Sequence, residues 1–151
     1  MIHQIKPVID KKTKQNLIKY INQDNWITEY KVTQNFEKNF SKFTNSKHCI
    51  VFPNGTITMS SILDCLNLKK NNEVLVSNYT MIATANVVKF VGLKTILVDV
   101  SEKDLCMCPK DLTKKINKNS KVVIYTQMNG RVGQINLIKR ICKKNNLILI
   151  E

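Results

Sequence analysis

Phe52-Pro53-Asn54-Gly55-Thr56 is the stretch whose residue types and spacing best suit chemistry. Gly55 has no Cβ, so successive backbone N–H groups could come close to a ligand there. A helix starting at Thr56 would add the partial positive charge of its N-terminus. Thr56 supplies an amide and a hydroxyl, and the combination suits a phosphate group. The same residues also suit a plain strand-to-helix turn, since Asn-Gly forms turns and Thr caps helices. Their spacing is neither the dinucleotide fingerprint nor the P-loop pattern. Metal chemistry finds little support. Cys106 and Cys108 lack the spacing of a zinc knuckle and have no second pair, and neither His3 nor His48 sits at zinc-ligand spacing from Cys49, Cys65 or Cys142. We therefore expect no metal site.

The elements that would position this stretch alternate along the chain. Helices are expected at 10–22 and 33–43, the second with Phe36, Phe40 and Phe43 on one apolar stripe, which reads as core. "DNWITEY" between them is polar and irregular. From His48 onward, strands are expected at 48–52, 73–77, 95–100, 121–126 and 147–150. Helices are expected at 56–66, up to Phe90 with Gly92 closing it, at 109–118 with Pro109 in its first turn, and at 135–145. Strand–helix alternation with nearly continuous apolar strands predicts an α/β fold: a mostly parallel sheet flanked by helices. Such sheets bind ligands beyond the carboxyl ends of their strands.

Composition narrows the function classes. Apolar residues make up 43%, which argues for a globular chain, and no apolar run is long enough to span a membrane. "MIHQIKPVIDKK" has no signal-peptide apolar stretch, and an odd number of cysteines fits reduced thiols, so a cytoplasmic location is expected with no membrane partner. The formal charge of +13 invites a nucleic-acid reading. Arg131 and Arg140 are the only arginines, however, and the lysines are scattered in pairs along the chain. Solvated helix faces are the favoured reading over a polyanion-binding surface, and a nucleic-acid module ranks last.

Five stretches, in order, resemble the DegT/StrS family of pyridoxal-phosphate-dependent aminotransferases. "WITEYKVTQNFEKNF" is similar to the family's entry segment, and "KHCIVFPNGTITM" to its phosphate-binding turn. "NEVLVSNYTMIATANVVKFVGLKTILVDV" resembles the strand, Thr-aromatic segment, helix and strand that follow. "LCMCPKDL" is similar to the link into the next helix, and "SKVVIYTQMNGRVGQINLIKRICKKNNLILIE" to the next strand, glycine turn, helix and strand. The resemblance runs from about Pro7 to Glu151. It implies an incomplete large domain of the fold-type I aminotransferases, with a helical entry segment at 1–46, the sheet region at 47–151, and the C-terminal small domain absent.

By the same resemblance, Gly55 and Thr56 match positions that hold the phosphate of pyridoxal 5'-phosphate. Thr80 and Met81 match the Thr-aromatic pair that faces its ring. Met81 in place of the aromatic, Gln127 in place of a frequent His and Tyr30 in place of a frequent Gly depart from the family pattern. The family's Asp for the pyridinium nitrogen would follow Glu151 directly, and the Schiff-base lysine would come later, so no catalytic residue is assigned within the chain. The implied activity is transfer of an amino group, from glutamate, to a keto nucleotide sugar for cell-surface polysaccharide or deoxyaminosugar synthesis, with the complete protein a homodimer. The 151-residue chain is expected to be inactive alone. The alternatives are a non-catalytic fragment, one half of a split enzyme, or a related sugar dehydratase.

Overall fold

Four short strands carry the fold in a computed structural model that describes residues 6–23, 26–28 and 30–151. They are β1 (Glu73–Ser77), β2 (Lys94–Val98), β3 (Ser120–Ile124) and β4 (Ile148–Ile150), all parallel in the order β2-β1-β3-β4. Central β1 is buried along its whole length, as its run of Val74, Leu75 and Val76 requires of a strand covered on both faces.

Helices cover both faces of the sheet. Four helices belong to this part of the chain: α3 (Gly55–Cys65), α4 (Ile82–Phe90), α5 (Pro109–Lys115) and α6 (Ile135–Lys144). Because successive side chains of a strand point to opposite faces, Val74, Val76, Val122 and Ile124 meet Leu63 of α3 and Val87 and Val88 of α4. Leu75, Val98 and Val123 meet Leu112 of α5 and Ile138 and Cys142 of α6 on the other face. Gly92 ends α4 at φ +74°, and the Leu93 amide donates to the Val88 carbonyl at 2.9 Å. Pro109 opens α5, where its missing N–H costs nothing.

The chain divides into two compact units at Val51/Phe52, and the sheet belongs to the second, Phe52–Glu151. The first unit contains α1 (Lys11–Ile21) and α2 (Lys31–Thr44). Asp10 caps α1, accepting from the Thr13 amide at 2.6 Å. Two expectations are corrected here. The run 48–52 forms no strand. Ile50 and Val51 are exposed, no described strand lies beside them, and the Val51 amide donates instead to Glu37 Oε1 at 2.9 Å. The stripe of α2 is not core either: Phe36, Phe40 and Phe43 are 54%, 45% and 86% exposed and pack chiefly on one another, with the first two rings stacked at 5.6 Å. The segment "DNWITEY" lies partly outside the described residues. Among the described residues no helix is long and apolar enough to cross a membrane, and no group of three or more His, Cys, Asp or Glu could hold a metal ion.

Candidate functional site at the sheet's switch point

Strand order reverses between β1 and β3. From β1 the chain crosses through α4 to β2 on one side, and from β3 it crosses through α6 to β4 on the other. Loops leaving the carboxyl ends of these two strands therefore diverge, and the opening between them is where parallel α/β sheets accept ligands. Thr80, after β1, and Thr126, after β3, bridge it: their hydroxyls lie 2.9 Å apart, and Thr84 Oγ1 is 3.2 Å from Thr80 Oγ1. Neither Thr84 nor Thr126 stood out in the sequence. The available signal was a polar residue directly after an apolar strand, which is too common to single them out.

Helix α3 brings the phosphate candidates to the same end. It leads through residues 66–72 into the amino end of β1, so it runs against the strands and its N-terminus lies at their carboxyl ends. Asn54 is its cap, accepting from the Ile57 amide at 3.0 Å through Oδ1 and from the Thr58 amide and hydroxyl through its carbonyl. The amides of Gly55 and Thr56 and the Thr56 hydroxyl are left with no partner among the described residues. They are unsatisfied groups at the positive end of a helix dipole. A Cβ built on Gly55 would meet nothing within 4 Å, so the backbone faces open space rather than packing. These features fit an anionic phosphate. Met81, the N-cap residue of α4, is 74% exposed at the same end of the sheet and makes no side-chain cap.

The loop after β3 is held from below. Tyr125 Oη donates to the Val132 carbonyl at 2.9 Å and Cys106 Sγ to the Arg131 carbonyl at 3.3 Å. Burial, and next the Cys106 contact, raise the Tyr125 hydroxyl above its usual pKa, so it stays a donor. Gly133 closes the turn at φ +57°, where a Cβ would overlap Tyr125 Oη and stand 2.7 Å from Cys106 Cβ. Gln127 Nε2 donates to Glu151 Oε2 at 3.1 Å, and Glu151 Oε1 pairs with Lys139 Nζ at 2.9 Å, so the ends of β3 and β4 are tied by side chains. Tyr30 lies in the other unit, as the N-cap of α2.

A switch-point site in a parallel α/β sheet, with a free helix N-terminus beside it, defines the class. The profile of the DegT/DnrJ/EryC1/StrS aminotransferase family matches residues 7–151, and the chain belongs to that family. GDP-perosamine synthase of Vibrio cholerae is 27% identical over 149 residues, which is 96% of this chain and 41% of that protein. The putative L-glutamine:3-amino-2,3-dideoxy-scyllo-inosose aminotransferase of Micromonospora echinospora is 25% identical over 118 residues, 78% of this chain and 28% of that protein. The chain thus spans well under half the length of these relatives. Helicobacter pylori PseC, an aminotransferase involved in the biosynthesis of pseudoaminic acid, superposes over 95% of this chain and 38% of its own, with a TM-score of 0.88 at 23% identity. GDP-4-keto-6-deoxy-D-mannose-3-dehydratase of E. coli, with bound hydrated PLP, gives 0.86 at 18% identity over 95% of this chain and 38% of its own. At these identities the two structures speak for the fold, α/β with a parallel sheet between helices, as the sequence predicts.

Proposed function

We propose that this chain supplies the phosphate-holding part of a pyridoxal-phosphate-dependent sugar aminotransferase. The reaction is transfer of an amino group from glutamate to a keto nucleotide sugar, in the synthesis of cell-surface polysaccharide or deoxyaminosugars, in the cytoplasm and by a homodimer. The free N-terminus of α3 at the switch-point end of the sheet is the observation that carries this reading. The amides of Gly55 and Thr56 and the Thr56 hydroxyl would hold the phosphate. The Met81 side chain would contact the ring, with a polarizable sulfur where the family has an aromatic. When bound, the cofactor supplies an electron sink for the substrate's amine-bearing carbon. Thr80 and Thr126 keep the mouth of the site at fixed width through their hydroxyl contact. Residues 1–151 are assigned no proton-transfer group.

Equilibrium dialysis of the chain against pyridoxamine 5'-phosphate and against pyridoxamine tests the binding role, because neither amine condenses with surface lysines. The phosphorylated form should bind at least about tenfold more tightly, and Thr56→Ala should remove most of that preference, since charge-assisted hydrogen bonds are strong. Equal binding of the two amines would refute the phosphate assignment. Amination of keto nucleotide sugars by the protein purified from its source tests the activity. No glutamate-dependent transfer, by that protein alone or with a complementary chain, leaves the non-catalytic and the sugar-dehydratase alternatives.

A further inference from the structure

Charge is sorted between the two helical layers of the unit Phe52–Glu151 in a way the scattered lysines of the sequence do not announce. On one face of the sheet α3 and α4 carry only Asp64 and Lys89. On the other, α5 carries Lys110, Lys114 and Lys115 and α6 carries Lys139, Arg140, Lys143 and Lys144, against the single acid Asp111. The two helices lie side by side over one apolar cluster, with Leu112, Ile138 and Cys142 turned inward, and Lys110, Lys114, Arg140, Lys143 and Lys144 stand exposed on this layer. Asp111 neutralises Lys115 at 2.7 Å and Glu151 neutralises Lys139 at 2.9 Å. Lys110, Lys114, Lys118, Arg140, Lys143 and Lys144 have no carboxylate within ion-pair distance among the described residues. Leu137 stands 40% exposed among them.

We propose that this outer face of α5 and α6 docks on an anionic lipid bilayer. Lysine ammoniums are hydrated point charges that need no shaped counterpart, and Arg140 is the only guanidinium on either helix. Neither helix has an aromatic residue on which a base could stack, which disfavours single-stranded nucleic acid. A broad face of two parallel-packed helices, rather than a groove, matches a plane of lipid phosphates. Clustered lysines on a helix face are attracted to such a surface within about a Debye length. Exposed Leu137 and the lysine stems add apolar contact at the headgroup level.

Flotation of the full chain with vesicles of equimolar phosphatidylglycerol and phosphatidylcholine, compared with pure phosphatidylcholine, tests the proposal. Binding is expected only to the anionic vesicles, and it should weaken as salt is raised. Lys110→Gln, Lys114→Gln, Lys143→Gln and Lys144→Gln together should weaken it roughly tenfold or more. Four matched changes on α1, which has no buried residue, should weaken it about twofold at most: Lys11→Gln, Lys12→Gln, Lys14→Gln and Lys19→Gln. Both variants remove the same charge from exposed positions, and far-UV circular dichroism verifies that both fold. Equal losses in the two variants, or no preference for anionic vesicles, overturn the proposal. Displacement of the chain from vesicles by duplex RNA at equal phosphate concentration also overturns it, assigning the face to nucleic acid. No cofactor enters these measurements, so their outcome is independent of the aminotransferase reading.

Discussion

The two helical layers bury their inner faces alike and differ on their outer ones. Helices α3 and α4 carry little charge and leave Ile57, Ile62, Ile82 and Phe90 45%, 36%, 72% and 75% exposed, among uncharged polar residues such as Thr58, Ser60, Ser61 and Asn86. Helices α5 and α6 bury Leu112, Ile135, Ile138 and Cys142 and carry seven basic residues, with Leu137 the exposed apolar residue of the pair. A helix surface rich in charge is built for water, and one that exposes large apolar side chains is less so. The candidate phosphate site belongs to the weakly charged layer and the basic face to the other. An anion held at α3 therefore relies on amides and a helix dipole, with no lysine of its own layer nearer than Lys89 at the far end of α4.

Deleting core side chains from each layer asks first whether the inner faces are equivalent. Leu63 and Leu112 are both fully buried, so Leu63→Ala and Leu112→Ala should each cost about 3 kcal/mol by denaturant unfolding. A large inequality would break the symmetry that burial implies. A smaller effect, confined to the α6 side, is expected from Gly133→Ala. Its Cβ would collide with Tyr125 Oη and Cys106 at a positive φ, costing about 2 kcal/mol and loosening the 126–134 turn. Hydrogen exchange should show the change there and leave α3 and α4 protected.

Asp111, the one acid of the basic layer, gives a further test. Hydrogen bonding from the Asp99 amide at 2.7 Å, then Lys115, holds its carboxyl below its ordinary 3.8. A depressed folded value means a contribution present above the ordinary carboxylate range and lost as pH falls through the folded value. Asp111→Asn should therefore cost about 1 kcal/mol at neutral pH, and the difference from wild type should vanish in strong acid. The smallest effect concerns Cys142, whose thiol burial pushes up to about 11 from 9.0. The unfolded chain then releases this proton first, so stability declines as pH rises from about 9 to about 11. Cys142→Ala should remove that component. At neutral pH iodoacetamide should label exposed Cys65 well before Cys142.

Local pattern made much of this protein legible. Strand 73–77 is where the apolar run predicts it, Pro109 and Gly92 stand at the start and end of their helices, and the turn at Asn54-Gly55 opens α3. These features depend on propensity and on backbone freedom at single residues, which neighbours in sequence decide. The misreadings share one physical cause. Residues 48–52 have the apolar run of a strand and Phe36, Phe40 and Phe43 the spacing of a core stripe, but pairing and burial need a partner surface, and composition does not say whether one is present.

Residue types and their order thus determined the strand–helix alternation, the parallel character of the sheet and the helix N-terminus suited to an anion. The tertiary structure alone decided the order β2-β1-β3-β4, and with it the switch point that sets Thr80 against Thr126 across 46 positions of sequence. It also decided that α5 and α6 share a face. Crossover direction and strand neighbours are long-range choices of packing, and they bring the lysines of α5 and α6 to one side of the sheet.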